Sequence, residues 1–160
     1  MTEIKLRPNM RYWFLMNLVH IVLTVCLFVF RTVFDEWEHY FQTIAGCAAI
    51  ALVCLMFWNI IVLLNIQYLI QDEQIIIKRG VLRKTVNYME MYRIFDYQKK
   101  QNIIEVALGL MNVVILSRDL SSPQLLLFGI QNDDAIIPEI RHRVELQKKI
   151  KNIHEFNNPL

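Results

Sequence analysis

Charged and apolar residues are segregated along this chain. From Tyr12 to Phe30 no Asp, Glu, Lys or Arg occurs, and Arg11 and Arg31 bracket the run. From Tyr40 to Gln71 there is again no formal charge, and Phe41–Leu64 is apolar almost throughout. A helix needs about 20 residues to cross roughly 30 Å of hydrocarbon. The pattern therefore predicts two membrane-spanning helices, over 12–30 and 41–64, and a buried helix in a soluble protein is the weaker reading. After Leu64 the period shortens. Tyr68–Ile70 and Ile75–Ile77 read as strands around the polar turn Gln71-Asp72-Glu73-Gln74, and Lys78-Arg79-Gly80 reads as a second turn. Val81–Met89, Ile94–Gln98, Leu110–Leu116 and Gln124–Ile130 read as further strands, with turn chemistry over Asp119–Pro123. Asn102–Leu108 reads as a brief helix ended by Gly109. Asp133 or Asp134 is expected to cap a last helix reaching about Phe156, with Pro138 tolerated in its first turn. That helix is expected to bury Ile136, Ile137, Ile140, Val144, Leu146, Ile150 and Ile153, and to turn Arg141, Arg143, Lys148, Lys149 and Lys151 to water. Short antiparallel strands closed by one amphipathic helix make an α+β layout, with the helix covering the open end of a bent sheet.

The flanks set an orientation. Residues 1–11 carry Lys5, Arg7 and Arg11 against Glu3, whereas the connection 31–40 carries Asp35, Glu36 and Glu38 against Arg31. Basic flanks stay on the cytoplasmic side. The expected topology is a basic cytoplasmic tail over 1–11, a helical hairpin over 12–66 with its acidic loop outside, and a cytoplasmic domain over 67–160. Tyr12, Trp13, Trp37, Tyr40 and Trp58 fall near the headgroup levels. A signal peptide is disfavoured because no small-residue cleavage site follows the first run. Ile44-Ala45-Gly46-Cys47 looks like a lipoprotein cleavage box, but the apolar run continues through Ala48–Leu64 instead of giving way to a polar chain.

Composition narrows the function. The chain of 160 residues is 55% hydrophobic with a net charge of +2, too little to mark a nucleic-acid binder. Its three cysteines, Cys26, Cys47 and Cys54, lie inside apolar runs, which fits neither a disulfide scaffold nor a zinc site. No metal or cofactor set can be assembled. His142 and His154 are too far apart on one helix to form a ligand pair, Ser117, Ser121 and Ser122 have no neighbouring base, and the glycines form no phosphate loop. Two patterns remain. Asn17, His20 and Thr24 share one face of the first span, at spacings of three and four, opposite a small-residue stripe of Ala45, Gly46, Ala48 and Ala49 in the second. Folding the hairpin places Thr24 and Cys26 opposite that stripe and His20 opposite Cys54. The polar face suits helix–helix contact, and alternatively a proton or ion path in an oligomer. The second pattern is basic: Lys78, Arg79, Arg83 and Lys84 bracket Gly80, and Lys99-Lys100 forms another knot. Beside an anionic leaflet each such residue is worth about 1 kcal/mol near the surface.

Three pieces in this order carry a resemblance: Lys78-Arg79-Gly80-Val81-Leu82-Arg83, then Met91-Tyr92-Arg93-Ile94, then Leu108-Gly109-Leu110, all after two apolar spans and an opening Leu6-Arg7-Pro8. The chain resembles the bacterial pleckstrin-homology-like (PH-like) membrane proteins with two N-terminal transmembrane helices. The resemblance implies a bent two-sheet sandwich or barrel capped by the C-terminal helix, without catalytic activity, in a bacterial inner membrane. The stretch Phe95–Lys100 departs from the family's small or polar one, so no ligand set carries over. The expected role is non-enzymatic: a PH-like module presented at the cytoplasmic face as a scaffold for a protein partner or for copies of itself. The alternatives are a small transport or channel subunit working through Asn17, His20 and Thr24, and binding of anionic phospholipid headgroups by the basic hairpin.

Overall fold

The computed structural model describes residues 3–33, 39–119 and 122–152. The expectations placed on Asp35, Glu36, Trp37, Glu38, Ser121 and 153–156 lie outside the described residues. Two long helices, α1 (Met10–Val33) and α2 (His39–Leu64), pack as a hairpin. Both are long and apolar enough to cross a membrane, and few of their residues are buried within the chain. Phe14, Val19, Phe28, Ile50 and Phe57 all point outward. Between the helices the contacts are polar at one level. Asn17 is fully buried; its Nδ2 donates to the Trp13 carbonyl (2.9 Å) and its Oδ1 accepts from Asn59 Nδ2 (2.8 Å). Trp13 Nε1 donates across the hairpin to the Met56 carbonyl (3.0 Å).

Among the described residues seven strands form two antiparallel sheets: β1 (Ile4–Leu6), β2 (Gln67–Ile70), β3 (Gln74–Arg79) and β4 (Thr85–Glu90) in one, β5 (Ile94–Lys100), β6 (Leu110–Ser117) and β7 (Gln124–Gln131) in the other. A short helix, α3 (Ile103–Ala107), joins β5 to β6, and α4 (Ile136–Ile150) follows β7. The α+β layout of helical hairpin, two sheets and terminal helix is the one the sequence pattern predicts. Tyr68, Ile70, Ile75 and Ile77 meet Val113, Ile115 and Leu127 in one core, closed by Ile136, Ile140 and Val144 of α4. Burying each such aliphatic chain is worth about 1.5–3 kcal/mol.

Four local readings change. Residues 4–6, expected within a free basic tail, form β1 and pair with β2, Ile4 opposite Ile70 and Leu6 opposite Tyr68. Lys78 and Arg79, expected in a turn, end β3 instead, and the turn follows at Gly80. The last helix turns Ile150 outward and buries Arg143, which is only 2% exposed. Arg143 lies one turn from Ile140 on the inward stripe, and burial is tolerable because its guanidinium is paired with carboxylates and a carbonyl. Nε donates to Glu139 (2.8 Å), and Nη1 donates to the Ile70 carbonyl (3.1 Å) and forms an ion pair with Asp72 (3.3 Å). Finally, Ala135 occupies the cap position of α4 and takes no part through its side chain. Asp133 Oδ1 accepts from the Ala135 amide just outside (2.9 Å), and Asp134 turns away to pair with Lys99 (2.9 Å).

Candidate functional site

Strand register fixes which residues of the domain lie beside the helical hairpin. β2 begins at Gln67, directly after α2 ends at Leu64, and Gln67 pairs with Lys78 while Arg79 pairs with Thr85. The Gly80–Lys84 turn therefore sits at the helix-end side of the domain. Here Lys78, Arg79 and Lys84, with Asn65, Gln67, Gly80, Thr85 and Val86, line a cleft of about 230 Å³. The turn depends on Gly80, whose φ of +113° leaves no room for a Cβ against the Arg83 carbonyl. Of the four basic residues expected together, three line the cleft. Arg83 is exposed at the tip beside Leu82. The cleft joins three cations with neutral donors, Asn65 and Gln67, an arrangement suited to a phosphate.

Across the domain, the N-terminal end of α1 is docked on β7. Opposite Asn112 the β6–β7 register shifts by a bulge, and Gly129 takes a φ of +58°. Asn112 Oδ1 accepts from the Gly129 amide (2.7 Å), and its Nδ2 donates to Glu105 (2.6 Å). The Tyr12 ring lies on Gly129 where any Cβ would overlap it. The Asn9 amide donates to the Gly129 carbonyl (2.8 Å), and Arg11 Nη1 donates to the Leu108 carbonyl (3.1 Å). Tyr68 ties the sheets together: its hydroxyl accepts from the Phe128 amide (3.1 Å), and burial pushes its phenol above the ordinary tyrosine range. A mostly apolar cavity of about 250 Å³ remains between Tyr12, Met16, Val62, Leu63, Ile66 and Phe128.

In the hairpin the expected polar face is divided. Asn17 pairs with Asn59, a residue the sequence reading did not single out, although an amide inside an apolar run is a signal in itself. Thr24 Oγ1 donates to the His20 carbonyl within its own helix (2.8 Å), and His20 Nδ1 is buried without a hydrogen-bond partner among the described residues. Ala45 is buried and Ala49 half-buried, while the Arg31 guanidinium lies over Gly46. Cys26 and Cys54, expected at the interface, are exposed, as is Cys47. Among the described residues no cluster of His, Cys, Asp or Glu is arranged to hold a metal ion.

A family model described as a bacterial PH domain matches residues 18–148. The chain belongs to that family. The match runs from within α1 to near the end of α4, so it covers the cleft and both sheets except β1. No curated protein and no solved structure matches the chain. PH-like domains are in general non-catalytic, and this one accompanies two helices long and apolar enough to cross a bilayer.

Proposed function

We propose that this bacterial PH-domain chain is a non-enzymatic integral membrane protein. In this reading the hairpin spans the bacterial inner membrane, both of its ends lie on the cytoplasmic side, and the PH-like module holds the phosphate of an anionic lipid headgroup. One observation carries the reading: the cleft of Lys78, Arg79 and Lys84 opens beside Asn65 and Gln67, immediately after the second apolar helix ends. The basic flanks Arg7 and Arg11 support the same side. Three cations at the surface of an anionic leaflet would contribute about 3 kcal/mol together.

The test uses the whole chain in detergent, because β1 belongs to the domain and a fragment starting at 67 would lack it. Added dioleoyl-phosphatidylglycerol should raise the thermal midpoint more than dioleoyl-phosphatidylcholine does. The triple change Lys78→Glu, Arg79→Glu, Lys84→Glu should remove the difference. Equal midpoints in the two lipids for the unaltered chain would sink the headgroup assignment.

A second reading, scaffolding of a protein partner or of another copy, is favoured by β4. This strand lies at the edge of its sheet and exposes Val86 and Tyr88. An added strand from a partner would find free backbone groups there. Cross-linking from native membranes with a photo-reactive residue at Tyr88 would then give a discrete adduct that is absent with the residue at Ile150. Transport has less behind it, since Asn17 and Thr24 already have partners within the hairpin.

A further inference from the structure

The short helix α3 has its polarity reversed. Its one charged residue, Glu105, is 5% exposed, whereas Ile103 is 89% exposed and Ile104 and Val106 also face outward. The inward turn of Glu105 is specified by its bonds. Glu105 forms a reciprocal capping box with Asn102, its amide donating to Asn102 Oδ1 (2.7 Å) and its carboxylate accepting from the Asn102 amide (2.8 Å), and it accepts from Asn112 Nδ2 as well. A helix on a water-facing surface gains by the opposite arrangement. The reversal therefore needs an apolar neighbour.

Position selects that neighbour. The residue after α3, Leu108, holds the guanidinium of Arg11 at the start of α1, so α3 lies level with the point where the chain enters its first long apolar helix. Exposed Lys100 precedes it at the end of β5. The β3–β4 tip follows the Gln67–Lys78 pair beside the end of α2, which packs on the start of α1, and it carries Leu82, 90% exposed, next to Arg83 and Lys84. Apolar side chains beside cations, level with a helix entering lipid, match the layering of a bilayer interface. We infer that α3, through Ile103, Ile104 and Val106, is seated in the interfacial layer of the leaflet, with Leu82 as a second foot. This rests on the hairpin spanning a bilayer. It adds that the PH-like module does not hang from the hairpin in water but stands in the lipid surface, which fixes the height of the Lys78–Lys84 cleft at the phosphates.

The test is spin-label accessibility in the full chain, reconstituted in vesicles of phosphatidylethanolamine and phosphatidylglycerol. Cys26, Cys47 and Cys54 are replaced by alanine, and single labels are placed by Ile103→Cys, Val106→Cys, Leu82→Cys, Val19→Cys or Ile150→Cys. Labels at 103, 106 and 82 should collide more with oxygen than with a water-soluble nickel chelate, as the label at 19 does, while 150 shows the reverse. A nickel-accessible label at 103 and 106 with an oxygen-accessible one at 19 overturns the seating of α3 and leaves the spanning hairpin standing. A label at 103 shielded from both reagents means a protein contact covers α3, and also overturns it. A nickel-accessible label at 19 removes the spanning hairpin itself.

Discussion

The helical hairpin and the sheet domain obey opposite rules of burial. In the hairpin the side chains turned outward are Phe14, Val19 and Phe57, and the one fully buried polar group, Asn17, is satisfied by neutral partners. In the domain the aliphatic chains are inside, and the most deeply buried polar residue described there, Arg143, is charged and held by two carboxylates and a carbonyl. Each rule reflects the medium outside. Where the surroundings are apolar, a polar atom must find its partners inside; where they are water, an apolar chain must. α3 belongs to the domain by sequence order yet obeys the hairpin's rule, with Glu105 inward and Ile103 outward.

The junction between the two regions should be the most sensitive point. Gly129→Ala places a Cβ into the Tyr12 ring at a left-handed backbone position. Strain and overpacking together should cost about 2–5 kcal/mol, seen as a lower thermal midpoint in detergent, and adding Tyr12→Ala should restore part of it. The two buried polar centres come next. Arg143→Met should cost about 2–4 kcal/mol by chemical denaturation, somewhat less than a fully buried pair, because Asp72 and Glu139 are partly open to water. Asn17→Leu should cost only about 1 kcal/mol, and a double-mutant cycle with Asn59→Leu should return a coupling of similar size. A larger loss from Asn17 than from Arg143 would reverse the contrast drawn here.

The smallest effect is electrostatic and lies at the surface. Lys99 holds the Asp134 carboxyl below the ordinary aspartate range, through its hydrogen bond first and its charge second. A lowered carboxyl contributes stability that is present above its unfolded value and is lost as pH falls through the folded one. Lys99→Ala should bring the carbon-13 titration of the Asp134 carboxyl back up to the ordinary range while moving the thermal midpoint little.

Much of this architecture was legible in the residues because it repeats. Two charge-free runs marked α1 and α2, and alternating β-branched runs marked β2 to β7 within a few residues. Gly109, just past Leu108, marked the end of α3. What escaped was non-repeating. β1 is three residues long, shows no period of its own, and finds its partner only after both long helices. Arg143 was counted with the solvated cations, although its spacing from Ile136 and Ile140 already set it on the buried stripe. Gly129 inside an apolar strand was a readable sign of a bulge or a close approach, and what approaches it, Tyr12, comes from the other end of the chain. For the cleft, residue types pointed to Lys78, Arg79 and Lys84, while the participation of Asn65 and Gln67 followed only from register.

The pairing of β1 with β2 makes assembly of this molecule conditional. Ile4–Leu6 are synthesised before either long helix, and the strand they complete begins only at Gln67. The outer edge of β2 is thus closed by a segment that must remain within reach while the whole helical hairpin between them forms. A copy whose two long helices failed to pair would present β2 with a bare edge, open to aggregation. The strand acts as a clasp that fastens only when the loop of chain it encloses has been laid down correctly.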